Sequence, residues 1–306
     1  MKFSRRAFDA IAMAGVASAI MLSAVPAMAQ SGTSHLGIPV DKIGVVGFTV
    51  RAELAEDARG TLEKIAACGI QNIEFSGPKL ADPVPSFQGV EVPAIKAFAE
   101  EFGFKVPSLG VNGDDLTDRL DVVISSAKEL GATYVRISGV AKVEGEEPTA
   151  YYTRLAEVLN KAGAPLKEAG ITLAYHNHDA EFVEIADGKS GYDILLAAVD
   201  PAAAAFELDL YWATNGAANP LELIKENPGR FPLFHVKDAQ KVTEDGKEVT
   251  TFATVGQGFI NFQEIFDLRD EAGVEYYFIE NDRPQPDGIT STCEGYAYLS
   301  AETNPK

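Results

Sequence analysis

From residue 43 onward, short apolar runs rich in Val, Ile and Phe alternate with longer stretches whose apolar residues recur every three or four positions. The short runs suit strands covered on both faces, and the longer ones suit amphipathic helices. The pattern predicts strands at Ile43–Val50, Asn72–Gly77, Val106–Val111, Ala132–Gly139, Ile171–His178, Ala204–Tyr211, Phe231–Ala239 and Glu275–Asp282. Between them it predicts helices at Glu56–Cys68, Val92–Gly103, Asp114–Leu130, Thr149–Ala169, Tyr192–Val199, Leu221–Glu226 and Phe262–Ala272, with a last one near Thr290–Leu299. Gly69, Gly103, Gly131, Gly170 and Gly273 each fall at or just past a helix end, where a left-handed cap is wanted. Strict alternation with no linker points to one α/β domain. Eight regular units suit a closed single (β/α)8 TIM barrel better than an open doubly wound sheet. The barrel is expected to span 40–306, with 30–39 as a flexible arm.

The first 29 residues break the rhythm. Ser4-Arg5-Arg6-Ala7-Phe8 is a twin-arginine pattern, an apolar run follows from Ala10 to Val25, and Ala27-Met28-Ala29 supplies small residues for cleavage. The run is shorter than the roughly 20 residues a spanning helix needs, so an export signal is expected in place of an anchor. That places the protein in the periplasm, with no membrane association after cleavage. Composition is otherwise ordinary for a globular chain, 46% hydrophobic and 23% charged. The formal net charge of -19 disfavours nucleic acid and anionic lipid as partners. The chain has two cysteines, Cys68 and Cys293. Placed at opposite ends of barrel helices about 18 Å long, they are expected to remain free thiols.

In such a barrel the chemistry gathers at the C-terminal ends of the strands. Strand five ends Tyr175-His176-Asn177-His178-Asp179 with Glu181 close behind; strand six contains Glu207-Leu208-Asp209; strand seven His235-Val236-Lys237-Asp238; strand eight Glu280-Asn281-Asp282-Arg283. Alternation sets His176 and His178 on one face and separates His235 and Lys237 from Val236 and Asp238. A mixed imidazole and carboxylate set suits a divalent metal such as Mn, Zn, Co or Fe. His176, His178, Asp209, His235 and Glu280 are the candidate ligands, and Glu181, Lys237 and Glu74 the candidate proton-transfer groups. Trp212 could stack on a sugar ring and Arg283 could hold an anionic group. Gly256-Gln257-Gly258 lacks the strand and helix of a dinucleotide loop and reads as a turn.

Together, VGFTVRAE (46–53), IEFSG (73–77), YHNHDAEF (175–182), FELDLYW (206–212), PGRFPLFHVKD (228–238), VGQGFINF (255–262) and YFIENDRP (277–284) resemble the xylose-isomerase-like TIM-barrel superfamily, and within it the bacterial sugar phosphate isomerase/epimerase branch. The resemblance implies a metal held by Glu, Asp, His and Glu on strands five to eight, which carries those roles to Asp209, His235 and Glu280. Strand five departs from the pattern, with His176 and His178 in place of the glutamate. The implied activity is a divalent-metal-dependent isomerase or epimerase acting on a sugar or keto-sugar through metal-stabilised enolate chemistry. The histidine-rich strand five resembles lyases, dehydratases and enzymes acting on 3-keto-glycosides. A non-catalytic periplasmic carbohydrate-binding protein is the reading from a different class. The sequence leaves open which sugar is taken, whether it is phosphorylated, and the oligomeric state.

Overall fold

A computed structural model describes residues 32–303. The export signal expected at 1–29 lies outside these residues. Eight parallel strands form the central sheet: β1 (Ile43–Val46), β2 (Ile73–Glu74), β3 (Ser108–Gly110), β4 (Tyr134–Ile137), β5 (Thr172–His176), β6 (Ala204–Asp209), β7 (Leu233–Val236) and β8 (Tyr276–Ile279). Their spatial order is β2-β1-β8-β7-β6-β5-β4-β3. The ring closes where Phe75 bridges Leu109 and Asn72 bridges Lys105, both parallel. The fold is therefore the TIM barrel that the alternating pattern predicts.

The strands are shorter than their apolar runs because several chains leave the sheet early. After β1 the backbone turns into a 3-10 helix at Gly47–Val50, and after β6 a helical turn occupies Leu210–Asn215. Outside lie α1 (Arg51–Ala67), α2 (Val92–Phe102), α3 (Leu120–Leu130), α4 (Pro148–Glu168), α5 (Gly191–Ala198), α6 (Pro220–Glu226), α7 (Phe262–Phe266) and α8 (Gly288–Ser300). Each presents an apolar stripe to the sheet. On α4, Tyr152, Leu155, Ala156, Leu159, Ala162 and Leu166 are buried at helical spacing. All five glycines expected at helix ends adopt positive φ. No helix among the described residues is long and apolar enough to cross a membrane.

The barrel interior is layered, and the layering explains the site. Tyr134, Ala174, Leu233 and Phe278 form one buried apolar cluster with Val46. Two residues further along their strands come Arg136, His176, His235 and Glu280. Strand alternation carries both sets inward, so an apolar plug sits beneath a polar layer. The plug shuts the lower end and keeps water from the polar layer.

Three expectations are corrected. The segment 32–39 is packed against the barrel: Thr33 pairs with Pro39, the His35 N–H donates to Ala301 O at 2.7 Å, and Leu36 and Ile38 are buried. Two apolar side chains inserted beneath the barrel tie this segment down. Cys68 and Cys293 are bonded as a disulfide, with Cα atoms 5.6 Å apart. Helices α1 and α8 are neighbours, and α8 runs on past the end of α1, so a mid-helix residue of α8 meets the residue that caps α1. Finally, the single strand expected at Phe231–Ala239 divides at Lys237. Asp238–Glu244 and Lys247–Ala253 form an antiparallel hairpin. Its tip, Asp245-Gly246, has positive φ at both residues, as a two-residue primed turn requires.

Candidate active site

The polar layer gathers at the top of β2 to β8. Register sets His176 opposite Glu207 and Asp209 opposite His235. Glu207 is the organising group. Its Oε2 lies 3.1 Å from His235 Nε2 and 3.5 Å from His176 Nδ1. His235 Nε2 is also 3.0 Å from Glu74 Oε1. Carboxylates behind Nε2 keep a proton there and turn Nδ1 toward the mouth, where it meets Glu280 Oε2 at 2.8 Å and Asp209 Oδ2 at 3.8 Å. Nε2 of His176 faces the same Asp209 oxygen at 3.9 Å. The other oxygen of Asp209 accepts from Trp212 N–H at 2.9 Å, capping the helical turn after β6 and fixing the carboxylate.

Beneath this group Arg136 spans two carboxylates, its Nε 2.9 Å from Glu74 Oε1 and 3.4 Å from Glu207 Oε2. Ser108 donates to Glu74 Oε2 at 2.6 Å. Gly110 makes room for the guanidinium, since a Cβ there would stand 2.6 Å from Arg136 Cζ. Above, the Lys237 ammonium touches Asp209 Oδ2 at 3.1 Å, Glu280 Oε2 at 2.9 Å and Asp282 Oδ1 at 3.0 Å.

Burial and charge set the protonation of each group. Burial would push Glu74 up, but Arg136 and His235 outweigh it and hold the carboxyl at about 2. Burial raises Glu207 to about 7 with help from Glu74, and raises Asp209 to about 6. Burial drives His176 well below the usual imidazole range, and drives His178 down to about 4 with help from Lys237. His235 goes the other way: burial is outweighed by Glu207, Glu280 and Glu74, so it stands well above that range. Lys237 is likewise held charged against its burial by Asp209, Glu280 and Asp282.

These residues fit a divalent cation. The ligand atoms of His176, Asp209 and His235 lie within 4.8 Å of one another, as do those of Glu74, Glu207 and His235. The second set is already bridged by Arg136. In the first, His176 Nε2 and His235 Nδ1 both face Asp209 Oδ2, with Glu280 Oε2 beside them, and Lys237 reaches both carboxylates from above. Buried lone pairs that face one another are costly unless a cation or proton joins them. His176, Asp209, His235 and Glu280 could therefore hold the ion, with Glu207 behind the two imidazoles. Of the histidine pair on strand five, the geometry assigns His176 to this set.

The remaining candidates are dispersed. His178 lies just beyond the strand, its ring 4.9 Å from that of His176, and lines the cavity above. Trp212 stands at the side, with Lys237 Nζ 5.6 Å from its ring. Glu74 is a buried anchor below the mouth and does not line the cavity. Glu181 points away, behind β5, where its Oε1 accepts from Tyr175 O–H at 2.5 Å. Tyr175 has the outward parity of its strand and takes Glu181 with it. Arg283 is exposed and outside the cavity lining. Sequence reasoning missed Glu207 and Arg136. Glu207 sits two residues before Asp209, so alternation alone sets both on one face; Arg136 carried no comparable signal.

The mouth opens into a cavity of about 810 Å3 reaching across β3 and β4 to Asn112, Arg119 and Tyr151. A closed barrel with a polar upper layer, a cation-fitting set on β5 to β8 and a cavity above it defines the class. The chain belongs to the xylose isomerase-like TIM barrel family, whose model matches residues 62–296. It is 28% identical over 164 residues to an inosose dehydratase of Clostridium perfringens, covering 49% of this chain and 54% of that protein. The chain thus spans about half the length of the curated relatives it matches. Among solved structures, a sugar phosphate isomerase/epimerase from Parabacteroides distasonis superposes with a TM-score of 0.71 at 23% identity, covering 90% of this chain and 98% of that one. A protein called IolI, solved with zinc, gives 0.61 at 16% identity over 84% and 96% of the two chains. A xylose isomerase-like barrel protein of Mycobacterium smegmatis, solved with magnesium, gives 0.60 at 13% identity over 84% and 95%. At these identities the structural likeness shows the fold.

Proposed function

We propose that the protein is a divalent-metal-dependent enzyme that takes a proton from the carbon beside the carbonyl of a keto-sugar and eliminates a neighbouring hydroxyl as water. The observation that carries this reading is the convergence of buried imidazole and carboxylate ligand atoms of His176, Asp209, His235 and Glu280 on β5 to β8, opening onto a polar cavity. When bound, a divalent ion there supplies Lewis acidity toward adjacent hydroxyl and carbonyl oxygens of a sugar. His178 offers a neutral imidazole at the cavity wall and accepts the C–H proton. Lys237 offers an ammonium at the same wall, pinned by three carboxylates, and gives a proton to the departing hydroxyl, which leaves as water while His178 keeps the proton taken from carbon. Trp212 and the plug beneath limit water at the reacting centre.

Elimination is favoured over epimerisation because the two groups at this wall differ. An epimerase needs matched acid and base groups on opposite faces of one carbon, and the strand-five glutamate of related epimerases is His176 here. Inosose dehydratases among the relatives support the same choice. Isomerisation through the same first proton transfer is the second reading, supported by the isomerase/epimerase neighbour.

The test is metal analysis of the purified protein, followed by incubation with inosose and a panel of keto-sugars in deuterated water. We expect one divalent ion per chain, and loss of water or entry of deuterium beside the carbonyl. Bound metal with neither change across the panel would make this a carbohydrate-binding protein.

We also infer that the protein works in the periplasm. The twin-arginine leader supports this, and so does the Cys68–Cys293 pair, because disulfides persist in oxidising compartments.

A further inference from the structure

Two of the three cations around the cavity are buried among carboxylates, and the third makes one ion pair. Arg136 is held by Glu74 and Glu207, Lys237 by Asp209, Glu280 and Asp282, and Arg119 by Asp115 at 3.3 Å. These three are the only Lys or Arg side chains lining the cavity among the described residues. They face four lining carboxylates, and Glu74, Glu207 and Asp209 lie directly beneath. The mouth therefore carries negative formal charge even with a divalent ion in place.

Backbone donors at two stations on the upper loops are committed as well. Barrels that take phosphorylated substrates commonly bind the phosphate on the loops after strands seven and eight and on a helix N-terminus there. Here the loop after the β7 hairpin does form a ring of N–H groups, but Asp238 fills it. Asp238 Oδ2 accepts from Gly256 N at 3.0 Å and Gly258 N at 2.8 Å; Oδ1 accepts from Ala239 N at 2.8 Å and Ile260 N at 3.2 Å. At the start of α8 the free N–H groups are taken too. Asp287 Oδ1 accepts from Thr290 N at 2.7 Å, and Glu53 Oε1 accepts from Gly288 N at 2.7 Å. Both stations already hold an anion that belongs to the chain.

We propose that the cavity selects uncharged sugars and turns away phosphate esters, its buried cations held by the chain's own carboxylates and the N–H ring after the β7 hairpin filled by Asp238. This rests on the keto-sugar reading for what is accepted, but the exclusion of phosphate stands on the committed cations and filled N–H groups alone.

The experiment is calorimetric titration of the metal-loaded protein with D-fructose and with D-fructose 6-phosphate, and of metal-loaded and chelated protein with inorganic phosphate. The ester is expected to bind at least about tenfold more weakly than the free ketose, because its dianion enters a negative field. Inorganic phosphate is expected to give no saturable binding to the chelated protein. Tighter binding of the ester, or phosphate binding that survives chelation, would overturn the proposal. If neither fructose species binds and phosphate is silent, the exclusion is upheld while the keto-sugar reading loses support. A second measurement uses Asp238→Gly, which frees the four N–H groups. Millimolar phosphate should raise the melting temperature of this variant and not of the wild type, compared with chloride at equal ionic strength. A folded variant indifferent to phosphate would remove Asp238 from the argument.

Discussion

Two imidazoles share one carboxylate in this site, and that sharing decides which nitrogen of each faces the mouth. Glu207→Gln keeps the shape but removes the charge that holds a proton on His235 Nε2 and on His176 Nδ1. We expect metal affinity to fall by about 10- to 100-fold, read by competition with a fluorescent chelator. His178→Asn should behave differently: metal content stays at the wild-type level while turnover falls by roughly 100-fold or more. Equal loss of metal in both variants would place His178 among the ligands and undo its role as proton acceptor. Behind β5, burial raises the Glu181 carboxyl above its ordinary value. The folded chain therefore holds a proton there that the unfolded chain releases at about pH 4.3. The stability this group contributes is fully present below that value and is lost as pH rises through the raised one. Glu181→Gln should accordingly gain melting temperature relative to wild type as pH rises from about 4 toward 7, checked by calorimetry across that range. A constant difference would show that burial does not govern the group.

At the scale of elements, the eight-unit rhythm was readable because both periods are imposed by burial, period two by the sheet and 3.6 by the helices. The site was readable to the same depth. His235 and Glu280 come two positions after an inward apolar residue, Leu233 and Phe278, and alternation carries Lys237 and Asp209 inward two positions after His235 and Glu207. What escaped depends on contacts between elements. Glu181 leaves the site because Tyr175, its partner, has outward parity, and the cysteines meet because α8 overruns α1. The hairpin after β7 does carry a signal, Asp245-Gly246 between alternating runs, but it lies outside the parallel strand-helix rhythm. Asp238 joins that hairpin to the loop before α7 through four N–H groups. Replacing it with Ala should cost about 3 kcal/mol of stability, because buried donors are left unpaired. Amide exchange at Gly256, Gly258 and Ile260 should rise with it; unchanged exchange there would mean water replaces the carboxylate without loss.

For the whole molecule, the cross-link between α1 and α8 closes a loop with a sequence separation of 225 residues. Confining so long a loop removes much of the unfolded chain's freedom. The double variant Cys68→Ser, Cys293→Ser should therefore lose roughly 3–5 kcal/mol in denaturant unfolding. An undiminished unfolding midpoint under oxidising conditions would show that the pair is not bonded. The strongly acidic balance of the chain acts at this scale too, since it sets the field that any charged solute meets on approach.

The packing of 32–39 against the end of α8 brings the two ends of the described chain side by side, His35 resting on Ala301. A barrel has no preferred starting strand, so a short linker from Glu302 back to Gly32 should permit new ends at the exposed 142–146 turn. Such a rearranged chain would keep every strand neighbour and the whole upper polar layer. Its first and last strands would then be β5 and β4, with the cross-linked helices now in the middle of the sequence.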